Sequence, residues 1–241
     1  MKPKKPFLSV IVPVFNEEKR IKNLQEIVNY LRKQKFSWEL IVVNDGSTDK
    51  TGKILELLKK QLKFKLMSYS PNAGKGLAVK TGMLESTGKY RLFLDVDLST
   101  PITELGKFLP HLKHYDIVIG SRKLKSSQLV TRQSFVREHL GKVFTLLSQH
   151  ILKMNNSDFT CGFKVFSEQS AVDVFSRQRI NKWGFDPEIL YIGKIKKYSI
   201  KEVAVHWEND PRTKVKFPDD IINSLTELIR IRINYLKGIY R

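Results

Sequence analysis

ELIVVNDGSTDKTGKILELLKKQ, residues 39–61, contains one full repeat of the architecture. Glu39–Val43 is a short apolar, β-branched run closed by Asn44-Asp45-Gly46, the pattern of a buried strand entering a turn. Thr48–Gln61 then carries Ile54, Leu55, Leu57 and Leu58, an amphipathic helix behind a polar start. Strand, polar turn and helix in this order make one βα unit. The same order recurs on both sides. Upstream, Leu8–Val14 predicts a buried strand and Ile21–Gln34 a helix with Ile21, Leu24, Ile27, Val28 and Leu31 on one face. Downstream come a strand at Lys65–Tyr69, a helix at Gly76–Thr87, a strand at Tyr90–Leu94, a helix at Thr103–Leu112 and a strand at Asp116–Ile119. Strands alternating with helices predict an α/β fold with a mostly parallel sheet flanked by helices, wound with one hand.

The second half changes character. Arg122–Thr131 reads as a polar loop, and Val136–Leu152 as a helix with a stripe at Val136, Leu140, Val143, Phe144, Leu147 and Ile151. Cys161–Phe166, Ser199–Ala204 and Val205–Trp207 read as short strands, and Asp220–Tyr240 as a closing helix. No linker divides the chain. The reading is a single domain over 1–241, with residues 1–122 as one functional half and 123–241 as the other.

The 241 residues are 41% hydrophobic and 28% charged, which excludes collagen-like, low-complexity and disordered chains. The single cysteine, Cys161, has no partner within the chain for a disulfide and excludes a cysteine-built zinc site. A net charge of +19, spread over both halves, suits nucleic acid, an anionic membrane surface or a phosphorylated small molecule. The apolar stretch from Pro6 to Asn16 falls far short of the roughly 20 residues that span a bilayer, and Pro13 with the polar residues after it argues against a signal peptide. A cytoplasmic chain, free or resting on a membrane face, is the expectation.

In doubly wound sheets ligands bind on the loops that follow the strands. Here those loops are Asn16-Glu17-Glu18, Asn44 to Asp49, Asn72-Ala73-Gly74-Lys75-Gly76, Asp95-Val96-Asp97 and Gly120-Ser121-Arg122. Each alone has an ordinary reading as a turn or a helix cap. Five polar loops converging on one sheet edge do not. Asp95 and Asp97, on alternate positions after YRLFL, are hard oxygen ligands suited to Mg²⁺ or Mn²⁺ whose shell is completed by phosphate oxygens.

The series VIVPVFNEE (10–18), VVNDGSTDKT (42–51), NAGKGLAVKTG (72–82), LFLDVDLSTP (92–101) and VIGSRK (118–123) resembles glycosyltransferase family 2, whose members have the GT-A fold. CGFKVF (161–166), WGFDPEILY (183–191) and IKEVAVHW (200–207) are similar to the branch that acts on polyprenyl (dolichyl) phosphates. The glucosyl members match best and the mannosyl members are near relatives. The resemblance runs in order over nearly the whole chain. The glucosyl members carry an N-terminal membrane anchor and other relatives carry C-terminal spans; neither segment occurs in this sequence.

The resemblance implies roles. Pro13, Phe15 and Glu17 match the donor-nucleotide loop, with Glu17 reaching the ribose; Asp45 matches the base reader and Lys75 the residue near base and diphosphate. Asp97 is the better metal ligand and Asp95 sits nearer the nucleoside. Arg122 matches a phosphate-binding arginine, Arg137 lies where an acceptor phosphate is held, and Lys214 matches a family lysine. Asp186, Glu188 and Lys164 are candidates for the acceptor or the sugar, and Trp183 and Trp207 for stacking on it.

The implied activity is metal-dependent, inverting transfer of a hexose from a nucleotide sugar to polyprenyl phosphate, with UDP-glucose the favoured donor and GDP-mannose the alternative. A phosphate monoester is ionised at neutral pH, since its second pKa is about 6, so no strong general base is required. A transferase attacking with a sugar hydroxyl is the rival, and it would draft Asp186 or Glu188 as the base. A nucleic-acid binder would need a basic groove with stacking aromatics or a helix-turn-helix, and neither pattern is present. The charge, the lipid acceptor and the two stripes at Val136–Leu152 and Ile221–Tyr240 suggest peripheral attachment to an anionic membrane surface at the cytosolic face.

Overall fold

A computed structural model describes residues 5–130, 135–210 and 219–241; the side chains of 135–137 and 219–222 lie outside the description. Its centre is a seven-stranded sheet. Strands β1 (Leu8–Val14), β2 (Trp38–Asp45), β3 (Lys65–Tyr69), β4 (Tyr90–Leu94), β5 (Ile117–Ser121), β7 (Phe163–Ser167) and β8 (Ile200–Ala204) lie in the order β3-β2-β1-β4-β7-β5-β8. All run parallel except β7, which pairs antiparallel with both β4 and β5. The mostly parallel α/β fold expected from the alternation is the observed one.

Burial on both sheet faces explains why the inner strands β1, β2 and β5 read as largely apolar runs, while the edge strands β3 and β8 are only partly buried. Leu8, Val10, Val12 and Val14 of β1 pack with Leu24, Ile27, Val28 and Leu31 of α1 (Leu24–Arg32) and with Leu55 and Leu62 of α2 (Thr51–Leu62). Ile11 and Phe93 face the other way. They meet Val79 and Met83 of α3 (Lys75–Glu85), residues of α6 (Glu168–Arg177) and α7 (Phe185–Ile195), and Leu228 and Ile231 of α8 (Asp219–Leu236).

Three elements differ from the sequence expectation. The helix predicted over Thr103–Leu112 is broken into a 3₁₀ turn at Ile102–Glu104, a single turn of α-helix at Leu105–Phe108 (α4) and a 3₁₀ turn at Leu109–His111. Gly106 and Pro110 account for this, the first by backbone freedom and the second by its missing N–H. The polar loop Arg122–Thr131 contains a two-residue strand, β6 (Gln128–Leu129), paired parallel with β9 (His206–Trp207). No helix is expected between Phe166 and Trp183, yet α6 is there. It starts at Ser167, whose hydroxyl accepts from the Ser170 N–H, and buries Ala171, Val174 and Phe175 at helical spacing.

Helix α5 (Phe135–Leu152) follows its prediction in extent but not in burial. Ser148 and Leu152 are buried, whereas Val143, Leu146 and Leu147 are exposed. It packs beside α8.

The reversal of β7 brings the two halves of the chain together. Because Leu94 pairs with Phe163, the residues just before β7 stand beside those just after β4. Gly162 therefore adjoins Asp95, and the second half of the chain reaches the edge formed by the five strand-end loops.

Candidate active site

The loops after β1 and β2 are stitched together. Asn16, at φ 51°, accepts through Oδ1 from the N–H groups of Thr48 and Asp49, and its own N–H donates to Ser47 Oγ. The Glu17 N–H donates to Thr51 Oγ1 at 2.7 Å. This sets Phe15 and Glu17 directly after the buried Pro13. The Glu17 carboxylate is held by Arg20, with contacts of 2.5 and 2.7 Å from Nε and Nη2. Arg20 also reaches Asp210 at 3.3 Å and lies within the field of Asp97.

Asp45, at the end of β2, organises the glycine loop. Its carboxylate accepts from Asn72 Nδ2 at 2.7 Å and from the N–H groups of Ala73 and Gly74 at 2.8 and 3.0 Å. The expected base reader is thus also the anchor of residues 72–74. Gly74 has φ 107°, and a Cβ there would stand 2.4 Å from the Asn181 carbonyl oxygen, so only glycine fits. Lys75 follows it and pairs with Asp95 at 2.6 Å, its ammonium lying 5.9 Å from the ring centres of both Trp183 and Phe185. Burial alone would lower the pKa of Lys75, but Asp95, Asp186 and Asp97 outweigh it and raise it.

Asp97 sits on the turn after β4, its Oδ1 accepting from the Ser99 N–H at 2.9 Å. Burial first and Asp95 second push its carboxyl above the usual carboxylate range, against the pull of the Ser99 N–H, Lys75 and Arg20. Two hard oxygen donors so placed that one raises the proton affinity of the other form a pair that a divalent cation relieves. Among the described residues no group of three or more His, Cys, Asp or Glu gathers to hold a metal. The pair fits an ion that takes its remaining ligands from phosphate oxygens.

Arg122, just past β5, is fixed by Asp158 in a two-pronged pair, Nε to Oδ2 at 2.7 Å and Nη2 to Oδ1 at 2.8 Å. Nη2 also donates to Thr160 Oγ1, and the guanidinium faces the Trp207 ring at 5.6 Å. Burial would raise the Asp158 carboxyl; the adjacent guanidinium instead holds it far below the usual carboxylate range. Trp183 and Trp207, the two stacking candidates, therefore lie against cations of the site.

The candidates from the second half separate into two groups. Asp186 lies within the electrostatic reach of Lys75, Asp95 and Arg122, and its partner is Lys164, which is wholly enclosed and also donates to the Cys161 carbonyl at 2.7 Å. Burial pushes the Asp186 carboxyl up, and Lys164 and Lys75 pull it down. Glu188, equally enclosed, stands apart from this cluster: it accepts from the backbone N–H groups of Arg179 and Ile180 and from the Tyr240 hydroxyl. Neither Lys164 nor Glu188 has an open face toward a ligand, because full burial and complete pairing go together for such groups. The Arg137 side chain and Lys214 lie outside the described residues. Cys161 is buried and its thiol is pushed up to about 11, chiefly by that burial, so it packs rather than reacts.

Arg20 and Asp210 are site residues that the sequence reading missed. For Arg20 a signal existed, the three-residue spacing from Glu17; for Asp210 there was none.

Comparison with known proteins accords with this geometry. The family described as Glycosyl transferase family 2 matches residues 9–175, and the chain belongs to that family. The dolichyl-phosphate beta-glucosyltransferase of Dictyostelium discoideum is 36% identical over 250 residues, covering 98% of this chain and 76% of that one. The protein of the same name from Saccharomyces cerevisiae is 32% identical, covering 98% and 77%. Among solved structures, glucosyl-3-phosphoglycerate synthase from Mycobacterium tuberculosis, in complex with Mn²⁺, uridine-diphosphate and glucosyl-3-phosphoglycerate, superposes with a TM-score of 0.64 at 18% identity, over 97% of this chain and 80% of that one. That likeness bears on the fold, which is the GT-A fold expected from the resemblance.

Proposed function

We propose that this protein transfers glucose from UDP-glucose to the phosphate of dolichyl or a related polyprenyl phosphate, giving a β-linked glucosyl phosphate lipid. The Dictyostelium and Saccharomyces relatives are glucosyltransferases that act on dolichyl phosphate by name, which favours glucose over mannose. The observation that carries the choice of acceptor is the state of Asp158 and of Asp186 and Glu188, the two carboxylates that a hydroxyl-attacking rival would draft as the base. Asp158 is held by Arg122, Asp186 by Lys164, and Glu188 by two backbone N–H groups and Tyr240. A hydroxyl acceptor needs a free base; a phosphate monoester arrives ionised and does not.

The donor half supplies the strand ends and loops of β1 to β4, with Phe15, Glu17 and Asp45 around the nucleoside and Lys75 toward the diphosphate; Pro13, expected on the nucleotide loop, is buried within β1 and only supports it from behind. Asp95 and Asp97 are the residues that would hold Mg²⁺ or Mn²⁺, which when bound neutralises the diphosphate charge. Arg122 draws the acceptor phosphate in and holds it. Its oxygen attacks the anomeric carbon from the face opposite the leaving group, the C1–O bond to UDP breaks, UDP departs as the anion, and the α-linked donor yields a β-linked product. Lys75 meets the charge that grows on the departing diphosphate.

The acceptor half would meet the membrane. No helix among the described residues is long and apolar enough to cross one, but α5 and α8 turn Val143, Leu146 and Leu147, and Ile229, Ile233 and Leu236, outward. Exposed Lys142, Arg230 and Lys237 flank them, a pattern that suits an anionic interface. Lys123 ties α5 beside Arg122 by donating to the Gly141 carbonyl.

A thermal-shift panel of UDP-glucose, UDP-galactose, UDP-GlcNAc and GDP-mannose, each with and without Mn²⁺, tests the donor. A ligand at 100 times its Kd adds about 2.7 kcal/mol, and UDP-glucose with Mn²⁺ is the expected hit. Substituting dolichol for dolichyl phosphate in a transfer assay tests the acceptor, and equal transfer to the alcohol would sink the reading.

A further inference from the structure

The glycine loop that delivers Lys75 is clamped from its outer side by residues 178–182. Gln178 Nε2 donates to the Gly76 carbonyl at 2.9 Å, Lys80 Nζ donates to the Gln178 carbonyl at 2.9 Å, and the Leu77 N–H donates to the Asn181 carbonyl at 3.3 Å. The fit has no slack: a Cβ on Gly76 would stand 2.8 Å from the Ile180 carbonyl oxygen and 2.7 Å from Phe185 Cβ. The place of residues 178–182 thus sets where α3 begins, and with it where Lys75 stands relative to Asp95.

That segment has no regular secondary structure of its own. Glu188 holds it, its carboxylate accepting from the Arg179 N–H at 3.1 Å and the Ile180 N–H at 2.8 Å. The Tyr240 hydroxyl holds Glu188 in turn, donating to Oε1 at 2.6 Å. Asn234 on α8 reaches that hydroxyl, and Glu227 on α8 accepts from the Gly184 N–H at 2.7 Å, just before α7 begins. The chain of contacts runs from α8 through Tyr240 and Glu188 to residues 179–180, and across to the glycine loop.

We propose that Glu188, oriented by Tyr240, is a positioning residue for the nucleotide sugar: it touches no substrate, but fixes the segment against which Lys75 is placed. The proposal rests on the reading that the loop around Lys75 and Asp95 binds the donor. It assigns Glu188 to donor binding, the reverse of the acceptor or sugar contact suggested by sequence.

The test is calorimetric titration of wild type, Glu188→Gln and Tyr240→Phe with UDP and UDP-glucose, alongside KM for dolichyl phosphate and thermal unfolding of each protein. Glu188→Gln replaces one accepting oxygen with a donor that faces the Ile180 or Arg179 N–H, and Tyr240→Phe frees the carboxylate to turn. The expected result is a Kd for UDP-glucose about tenfold weaker in Glu188→Gln and about threefold weaker in Tyr240→Phe, with KM for dolichyl phosphate unchanged. A role in stability alone would lower the melting temperature while the folded protein kept its wild-type Kd, and that result overturns the proposal. If Glu188→Gln does not fold, Tyr240→Phe decides by the same criterion. A wild type that binds no UDP-glucose removes the donor reading and the proposal with it, an outcome distinct from variants that bind as well as wild type.

Discussion

Gly162→Ala isolates the role of Asp95. A Cβ at 162 would fall 2.1 Å from Asp95 Oδ2 and 2.6 Å from Cγ, whereas ordinary contact begins near 3.4 Å. The carboxylate must therefore retreat by more than about 1 Å, and its 2.6 Å pairing with Lys75 is lost. The fold itself has little reason to suffer. The lost pair is partly exposed and contributes at most about 1 kcal/mol. Gly162 does not occupy the left-handed region, so the alanine recovers some of this through a less flexible unfolded chain, about 0.4–1 kcal/mol. A misplacement of about 1 Å in a reacting constellation lowers rates by about 100-fold. The expectation is thus kcat/KM for UDP-glucose down by about two orders of magnitude at a melting temperature within a few degrees of wild type. Transfer kinetics and thermal unfolding on one preparation check both. Activity within threefold of wild type would refute the argument, because Asp95 would then tolerate displacement from Lys75.

The same geometry sets other expectations. Asp158→Ala strands the Arg122 guanidinium beside a vacated carboxylate site and should destabilise the protein by about 3 kcal/mol, read as a lower urea midpoint. Because Arg122 depresses the Asp158 carboxyl, its stabilisation is fully present above the unfolded value of about 3.9 and fades as pH falls. The urea midpoint of wild type should accordingly decline more steeply below about pH 4 than that of Asp158→Asn. Lys75→Met keeps the packing against Trp183 and Phe185 but removes the charge, and should weaken UDP-glucose binding in calorimetry by about tenfold or more. Leu146→Glu combined with Leu236→Glu places two acids on the exposed faces of α5 and α8. Co-sedimentation with anionic vesicles should drop, wild-type binding should weaken as salt rises, and transfer to a short, water-soluble acceptor phosphate should be unchanged.

The parallel sheet was legible because its central strands are buried along their length and β1, β2 and β3 are each followed by a helix, and the five loops came with it. Direction was not legible. Nothing in Phe163–Ser167 says that β7 runs against its neighbours, so the approach of Gly162 to Asp95 could not be foreseen. Pairing was equally hidden. Asp186 and Glu188 sit two residues apart at the start of one helix, yet one faces the site and the other the backbone of Arg179 and Ile180. Lys164 was expected to meet the acceptor or the sugar; the structure buries it beside Phe93 and Asp186, because a charge in the sheet interior survives only with a partner. The apolar stripe of α5 was read correctly as a pattern, but periodicity cannot say whether a stripe meets the core or the outside.

The product itself tests the central claim most directly. Purified protein, UDP-glucose, Mn²⁺ and dolichyl phosphate should yield one lipid product, whose anomeric linkage is read by proton NMR. The account predicts glucosyl phosphate dolichol in the β configuration, with no transfer to dolichol and no comparable product from GDP-mannose. An α-linked product, or sugar transferred to a hydroxyl, would contradict it, since neither arises from single displacement by a phosphate oxygen at this site.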